Sequence, residues 1–184
     1  MAIEIPSEIR SRLRDLIEAL RPELPGARWA RPEGIHLTLK FLGEVSEQDV
    51  RPLVAELERR VTGSRKPFSI EVGGLGTFPS GSRPRVLWVG LEDPSGSLAA
   101  LQPSVEEAVM SVSLPGVARQ SRPFRPHLTL ARLAGERLPE RFARRLDSQR
   151  DVACGTMPVT SCALIRSHLG AGGSRYETLS EIPL

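Results

Sequence analysis

The sequence predicts an α+β fold: two pseudo-symmetric lobes, each an antiparallel sheet with helices packed outside it, with an active-site cleft between them. Three observations lead there. The tetrapeptide His-Leu-Thr-Leu occurs at residues 36–39 and again at 127–130, one copy in each half of the 184 residues. From each copy the patterning runs in one order: the His-Leu-Thr-Leu strand, a helix, a strand, a glycine-containing turn and a strand. No low-complexity linker separates the halves, so residues 1–184 are expected to form a single domain made of two duplicated halves.

In chain order, Ala2 to Ile5 alternates as a short edge strand. Ser7 can cap a helix whose apolar positions, Ile9, Leu13, Leu16, Ile17 and Leu20, recur at helical spacing until Pro22 and Pro25-Gly26. Arg28-Trp29-Ala30 leads through a turn at Pro32-Glu33-Gly34 to the first His-Leu-Thr-Leu strand, expected to run to Phe41-Leu42 and stop at Gly43. Ser46 and Asp49 begin a second helix with Val50, Leu53, Val54, Leu57 and Val61 inward; Pro52 predicts an irregular or delayed first turn. Phe68 to Val72 alternates as a strand, which Gly73-Gly74-Leu75-Gly76 is expected to break. Residues 77–82 form a loop and Arg85 to Leu91 an apolar strand.

After a turn at Asp93-Pro94-Ser95-Gly96, a third helix carries Leu98, Leu101, Val105, Val109 and Val112, with Pro103 as a kink or start. Residues 117–125 are basic and irregular, and the second His-Leu-Thr-Leu strand follows, continuing to Ala131-Arg132. Leu138-Pro139-Glu140 opens a helix to about Ser148 that buries Phe142 and Leu146. Val152 to Arg166 is a strand broken or bulged near Gly155 and Pro158, Gly170-Ala171-Gly172-Gly173 a tight turn, and Arg175 to Leu179 the closing strand.

Composition narrows the function. Hydrophobic content of 40% supports a core, and aromatic content of 4% leaves its packing to aliphatic side chains. A net charge of +3 suits an anionic ligand without requiring one. Of 25 basic residues only Lys40 and Lys66 are lysine; arginine presents a planar fork to phosphate, although arginine-favouring codon usage accounts for the bulk of them equally well. Cys154 and Cys162 read as small buried hydrophobes. Nothing at the N-terminus reads as a secretory signal and no apolar run reaches the roughly 18 residues of a membrane span, so a reduced cytoplasmic setting without membrane attachment is expected. No phosphate-binding glycine loop of the nucleotide-binding types is present.

Only three histidines occur, and the repeats use two of them. On a strand, side chains alternate between faces, so His36 and Thr38 share one face and Leu37 and Leu39 the other; His127, Thr129, Leu128 and Leu130 repeat this. One imidazole and one hydroxyl per strand can grip a small charged group between two related strands. His168 has no threonine two residues on and is expected to be a bystander.

The segments His36 to Gly43, Gly74 to Pro79, Arg85 to Gly90, Arg122 to Arg132 and Gly172 to Tyr176 together resemble the 2H phosphoesterase superfamily. The resemblance is nearest to its RNA 2′,3′-cyclic phosphodiesterase branch, also called the bacterial 2′-5′ RNA ligase (LigT-like) family. It implies metal-independent hydrolysis of RNA 2′,3′-cyclic phosphate ends to 2′-phosphomonoesters by a histidine pair, with reversible 2′-5′ ligation by the same groups. It further implies His36 as proton donor, His127 as proton acceptor, Thr38 and Thr129 holding the phosphate, and Arg132 contacting it. Strand parity from Leu130 places Arg132 on the leucine face, a conflict unless the strand twists or ends there. Phe41 and Phe78 are candidates to stack on a base, with core placement the alternative, and Arg122 and Arg125 are candidates to line the RNA path. No cofactor or metal is implied; the expected partners are RNA with cyclic phosphate ends, tRNA halves among them, or cyclic nucleotides, and the chain is expected to be a monomer. The rival readings are a phosphodiesterase for small cyclic nucleotides or 2′-5′ oligoadenylates, a non-catalytic RNA-binding module, and a metallohydrolase using the histidines as ligands.

Overall fold

The computed structural model describes residues 1–81, 83–148, 152–170 and 173–184. Its elements are β1 (Ala2–Glu4), α1 (Ser7–Leu20), β2 (Arg28–Trp29), β3 (His36–Thr38), α2 (Glu47–Val61), β4 (Phe68–Phe78), β5 (Val86–Glu92), α3 (Ser97–Ser111), β6 (His127–Arg132), α4 (Glu140–Ser148), β7 (Ala153–Val159), β8 (Ser161–Gly170) and β9 (Gly173–Pro183). The strands form two antiparallel sheets, ordered β3-β1-β8-β9 and β2-β6-β5-β4-β7. The α+β, two-sheet architecture is the predicted one. Each sheet nevertheless draws strands from both halves of the sequence: β1 and β3 join β8 and β9, while β2, β4 and β5 join β6 and β7. The chain passes from one sheet to the other at Thr160, between β7 and β8.

The helices follow their apolar stripes. Ile9, Leu13, Ile17 and Leu20 are the buried face of α1, which packs on β7, and Leu53, Leu57 and Val61 that of α2, which packs on β9 and α3. Pro52 does not delay α2, nor does Pro103 start α3: both helices run through their prolines. Each proline is exposed, so water can satisfy the carbonyl that loses its amide partner. In α4 Phe142 is fully buried and Leu146 packs partly buried against the core.

Four expectations for strands change. The first strand, β1, is internal, pairing Ile3 with Leu37 on one side and Ala2 with Ala163 on the other; β3 is the edge. The strand β3 ends at Thr38, because β1 offers no partner beyond Ala2; the Leu39 and Lys40 amides both donate to the Met1 carbonyl instead. The glycines at 73–76 do not break β4. Gly74, at φ 69°, is an extra residue bulged out of the pairing with β5, a conformation that costs glycine little. Finally, the break between β7 and β8 falls at Thr160, while Cys154 is a bulge beside Gly155 and Pro158 is tolerated because β7 is an edge strand. The expected turn at residues 170–173 includes 171 and 172, which lie outside the described residues.

One buried ion pair joins these parts. Lys40, 4% exposed, donates through Nζ to Glu106 Oε1 of α3 at 2.9 Å and to the Ala118 carbonyl at 2.6 Å. The same carboxylate oxygen accepts the Gln120 amide at 2.8 Å, and Oε2 has no hydrogen-bond partner among the described residues. The pair thus ties the chain leaving β3 to α3 and to the loop that enters β6. Breaking such a pair from one side strands a charge in the interior. We expect Lys40→Met to lower unfolding free energy by roughly 3–5 kcal/mol in a urea titration, and Lys40→Met with Glu106→Leu to recover most of that loss.

Candidate active site

The two motif strands belong to different sheets, yet β3 and β6 approach within 8 Å at their Cα atoms. Leu37 and Leu39, like Leu128 and Leu130, are buried at 1% exposure or less, and His36 and His127 are half-buried on the opposite faces of their strands. Full burial of each leucine contributes roughly 1.5–3 kcal/mol, which holds the alternation in register and keeps each histidine and threonine pointing away from the core. Thr38 is exposed and Thr129 half-buried.

Both imidazoles are oriented in the same way. His36 Nδ1 lies 2.9 Å from the Gly34 carbonyl, and His127 Nδ1 lies 2.7 Å from the Arg125 carbonyl, two residues earlier in each case. A carbonyl only accepts, so Nδ1 must carry the proton in both rings. That leaves Nε2 as the reactive nitrogen of each: bare it can take a proton, protonated it can give one. Burial lowers the pKa of His36 from its ordinary value; the Gly34 carbonyl and the Glu4 carboxylate, its cross-strand neighbour, oppose the shift.

Aromatic rings brace each imidazole. Tyr176 of β9 meets His36 edge-on with centroids 4.8 Å apart, and Phe78 meets His127 edge-on at 5.0 Å. Trp88 packs against Phe78 at 5.0 Å. The floor beneath is cleared by glycine: a Cβ on Gly76 would lie 2.2 Å from the Trp88 ring, and one on Gly90, opposite His127, would lie 2.8 Å from the Gly73 carbonyl. Gly76, one of the glycines expected to break the strand, thus makes room for the indole.

Arg132 stands on the histidine face, and a bulge puts it there. Along β5 and β6, His127 pairs with Gly90 and Thr129 with Trp88, but Ala131 pairs with Leu87 and Arg132 with Val86. Leu130 is therefore the extra residue and the alternation resets after it. Ala131 is buried at 0% and Arg132 is exposed, which removes the conflict in strand parity. Phe41 is not core: it is 82% exposed, just past β3. Arg125 is exposed and contributes its carbonyl to His127. Arg122 is also exposed and lines a cleft of about 190 Å³ with Gln102, Glu106 and Arg119 on the flank of α3. His168 is bonded to Glu177 at 2.7 Å. Its neighbour Ser167 pairs with Tyr176, so His168 lies on the opposite sheet face from the ring that braces His36.

Sequence reasoning missed Tyr176, Trp88, Glu4 and Gly34. Tyr176 is the only tyrosine in the chain, a weak signal; Trp88 and Glu4 show themselves only through cross-strand pairing, and Gly34 only through the local turn that aims its carbonyl at His36. Among the described residues no three His, Cys, Asp or Glu side chains cluster so as to hold a metal ion, and no helix is long and apolar enough to cross a membrane.

The sequence model of the family described as LigT like phosphoesterase matches twice, over residues 3–88 and 89–176. A protein of Aeropyrum pernix named RNA 2′,3′-cyclic phosphodiesterase is 39% identical over 151 residues, 82% of each chain. The crystal structure of a Thermus thermophilus protein, TT0787, superposes with a TM-score of 0.77 at 30% identity, covering 100% of this chain and 95% of that one. Escherichia coli LigT complexed with 3′-AMP also gives a TM-score of 0.77, at 28% identity and the same coverage.

Two consequences of this geometry can be measured. Glu4→Gln removes a carboxylate that favours the imidazolium, so the His36 ring should titrate at still lower pH by NMR. Gly76→Ala should displace Trp88 and change the near-ultraviolet circular dichroism; an unchanged spectrum would contradict the close approach.

Proposed function

Because the chain belongs to the LigT-like phosphoesterase family, we propose that it is a metal-independent phosphodiesterase that opens the 2′,3′-cyclic phosphate ends of RNA to 2′-phosphomonoesters, with His36 and His127 as its acid–base pair. The observation that carries this reading is the matched pair of imidazoles on neighbouring strands, each with Nδ1 held by a carbonyl. Opening the strained ring needs a base to activate water and an acid to protonate the departing 3′ oxygen. His127, with Nε2 bare, takes the proton of water; His36, protonated at Nε2, delivers one to the leaving oxygen. Thr38 and Thr129 donate to the non-bridging oxygens, where negative charge grows in the transition state, and Arg132, on the same face as His127 and Thr129, contacts a phosphate of the substrate. Phe41 and Phe78 offer stacking surfaces to the base, and Arg122 and Arg125 extend the basic surface along the RNA. The same ring opening with a 5′-hydroxyl in place of water as nucleophile breaks the same P–O3′ bond and gives a 2′-5′ linkage by the same proton transfers, and this ligation is reversible.

A second assignment exchanges the two roles, and the burial that lowers the His36 pKa favours it, since a depressed pKa keeps that ring neutral and ready to accept. The two are separable with a 4-nitrophenyl phosphodiester of a nucleoside, whose leaving group needs no proton. The alanine variant that lacks the acid keeps most of its rate on this substrate, whereas the variant that lacks the base loses it.

On RNA ending in a 2′,3′-cyclic phosphate, His36→Ala and His127→Ala should each lose at least ~100-fold in kcat, the scale of a general acid or base, and His168→Ala should be near normal. The rate should be bell-shaped in pH, since one ring must be neutral while the other is protonated. Turnover should persist in a strong chelator; activity abolished by chelator and restored by a divalent ion would overturn metal independence.

A further inference from the structure

We propose that Arg28 and Arg132 form a two-guanidinium seat for the phosphodiester one nucleotide upstream of the cyclic phosphate, making the enzyme selective for polynucleotide ends over cyclic mononucleotides. This rests on the phosphodiesterase reading above and adds to it a residue, a second phosphate and a substrate preference.

The register places the two arginines together. In the β2–β6 pairing Arg28 is directly opposite Arg132, and Trp29 is opposite Ala131. Ala131 is buried at 0% and Trp29 packs against the core; Arg28 and Arg132, one position along each strand, therefore share the other face. That face carries His127 and Thr129, because the bulge at Leu130 resets the alternation of β6. Both arginines are exposed.

Like charges directly opposite each other on neighbouring strands are destabilising, and this pair has no compensation. Among the described residues, neither Arg28 nor Arg132 makes an ion pair or a side-chain hydrogen bond, whereas Arg14, Arg21, Arg59, Arg60 and Arg166 each pair with a glutamate. Two forked donors, each with several N–H groups and no counter-charge, present a surface for an anion with several oxygens. A second phosphate meets that description, and the distance fits. Arg132 lies two β5 positions beyond Thr129, about 7 Å along the strand, and Arg28 stands beside it, so the pair has room to seat a second phosphate beyond one held between the motif threonines. A nucleoside 2′,3′-cyclic phosphate has only the reacting phosphate. An RNA end has in addition the diester linking its last nucleoside to the one before, and that diester reaches Arg28.

The test compares kcat/KM for a dinucleotide ending in a 2′,3′-cyclic phosphate with that for the corresponding nucleoside 2′,3′-cyclic phosphate. In the wild type the dinucleotide should be preferred. Arg28→Ala should reduce the ratio of the two about ten-fold, the scale of one charged hydrogen-bonded contact, through KM rather than kcat. Arg28→Lys should restore part of the ratio, and kcat/KM for the dinucleotide should fall less steeply with added salt in Arg28→Ala than in the wild type. Arg28→Ala should melt no lower than the wild type, since it removes only a repulsion. An unchanged ratio in a protein that hydrolyses both substrates overturns the seat and leaves the phosphodiesterase reading standing. Failure of the wild type to open either substrate overturns both.

Discussion

The buried Lys40–Glu106 pair is the constraint on which the rest of the arrangement depends. The first motif sits on the edge of one sheet and the second lies in the interior of the other, so no ladder of backbone hydrogen bonds spans the two. The Lys40 ammonium reaches from the end of β3 to α3 and the Ala118 carbonyl, and the same Glu106 oxygen holds the Gln120 amide. Because Glu106 Oε2 has no hydrogen-bond partner among the described residues, the lysine is the main compensation for a charge that would otherwise be costly inside the protein. The tie therefore fixes the exit of one motif strand relative to the approach to the other.

Within the second sheet, the site is shaped by departures from regular pairing. The bulge at Gly74 bends β4, the glycines at 76 and 90 leave room for the Trp88 ring and the neighbouring backbone, and the bulge at Leu130 turns Arg132 onto the histidine face. Regular alternation would have put Arg132 among the leucines. The β2–β6 register sets Arg28 beside Arg132, and the bulge at Leu130 determines that this pair, which makes no ion pair among the described residues, faces the same way as His127 and Thr129.

The two imidazoles share a tautomer but not an environment. His36 is braced by Tyr176 and faces Glu4, and its burial pulls the ring toward the neutral form; His127 is flanked by Phe78 and Trp88. An acid–base pair needs opposite protonation states at one moment, and unequal surroundings are a means to separate two chemically identical groups.

What the sequence determined by itself was local and periodic. Helical spacing in residues 7–20 and 140–148 and the His-x-Thr alternation depend on which side chains must be buried and on fixed repeats of about 3.6 and 2 residues, so they could be read without a partner strand. What tertiary structure alone decided was whatever depends on pairing. Ala2 to Glu4 is an internal strand because β3 and β8 flank it; β3 stops at Thr38 because β1 has nothing further to offer; Gly73 to Gly76 bends β4 rather than ending it because β5 continues alongside. Arg132, Arg28, Trp88 and Tyr176 joined the histidines through bulges and cross-strand register, which are set by contacts between residues far apart in the chain and leave no period in the sequence.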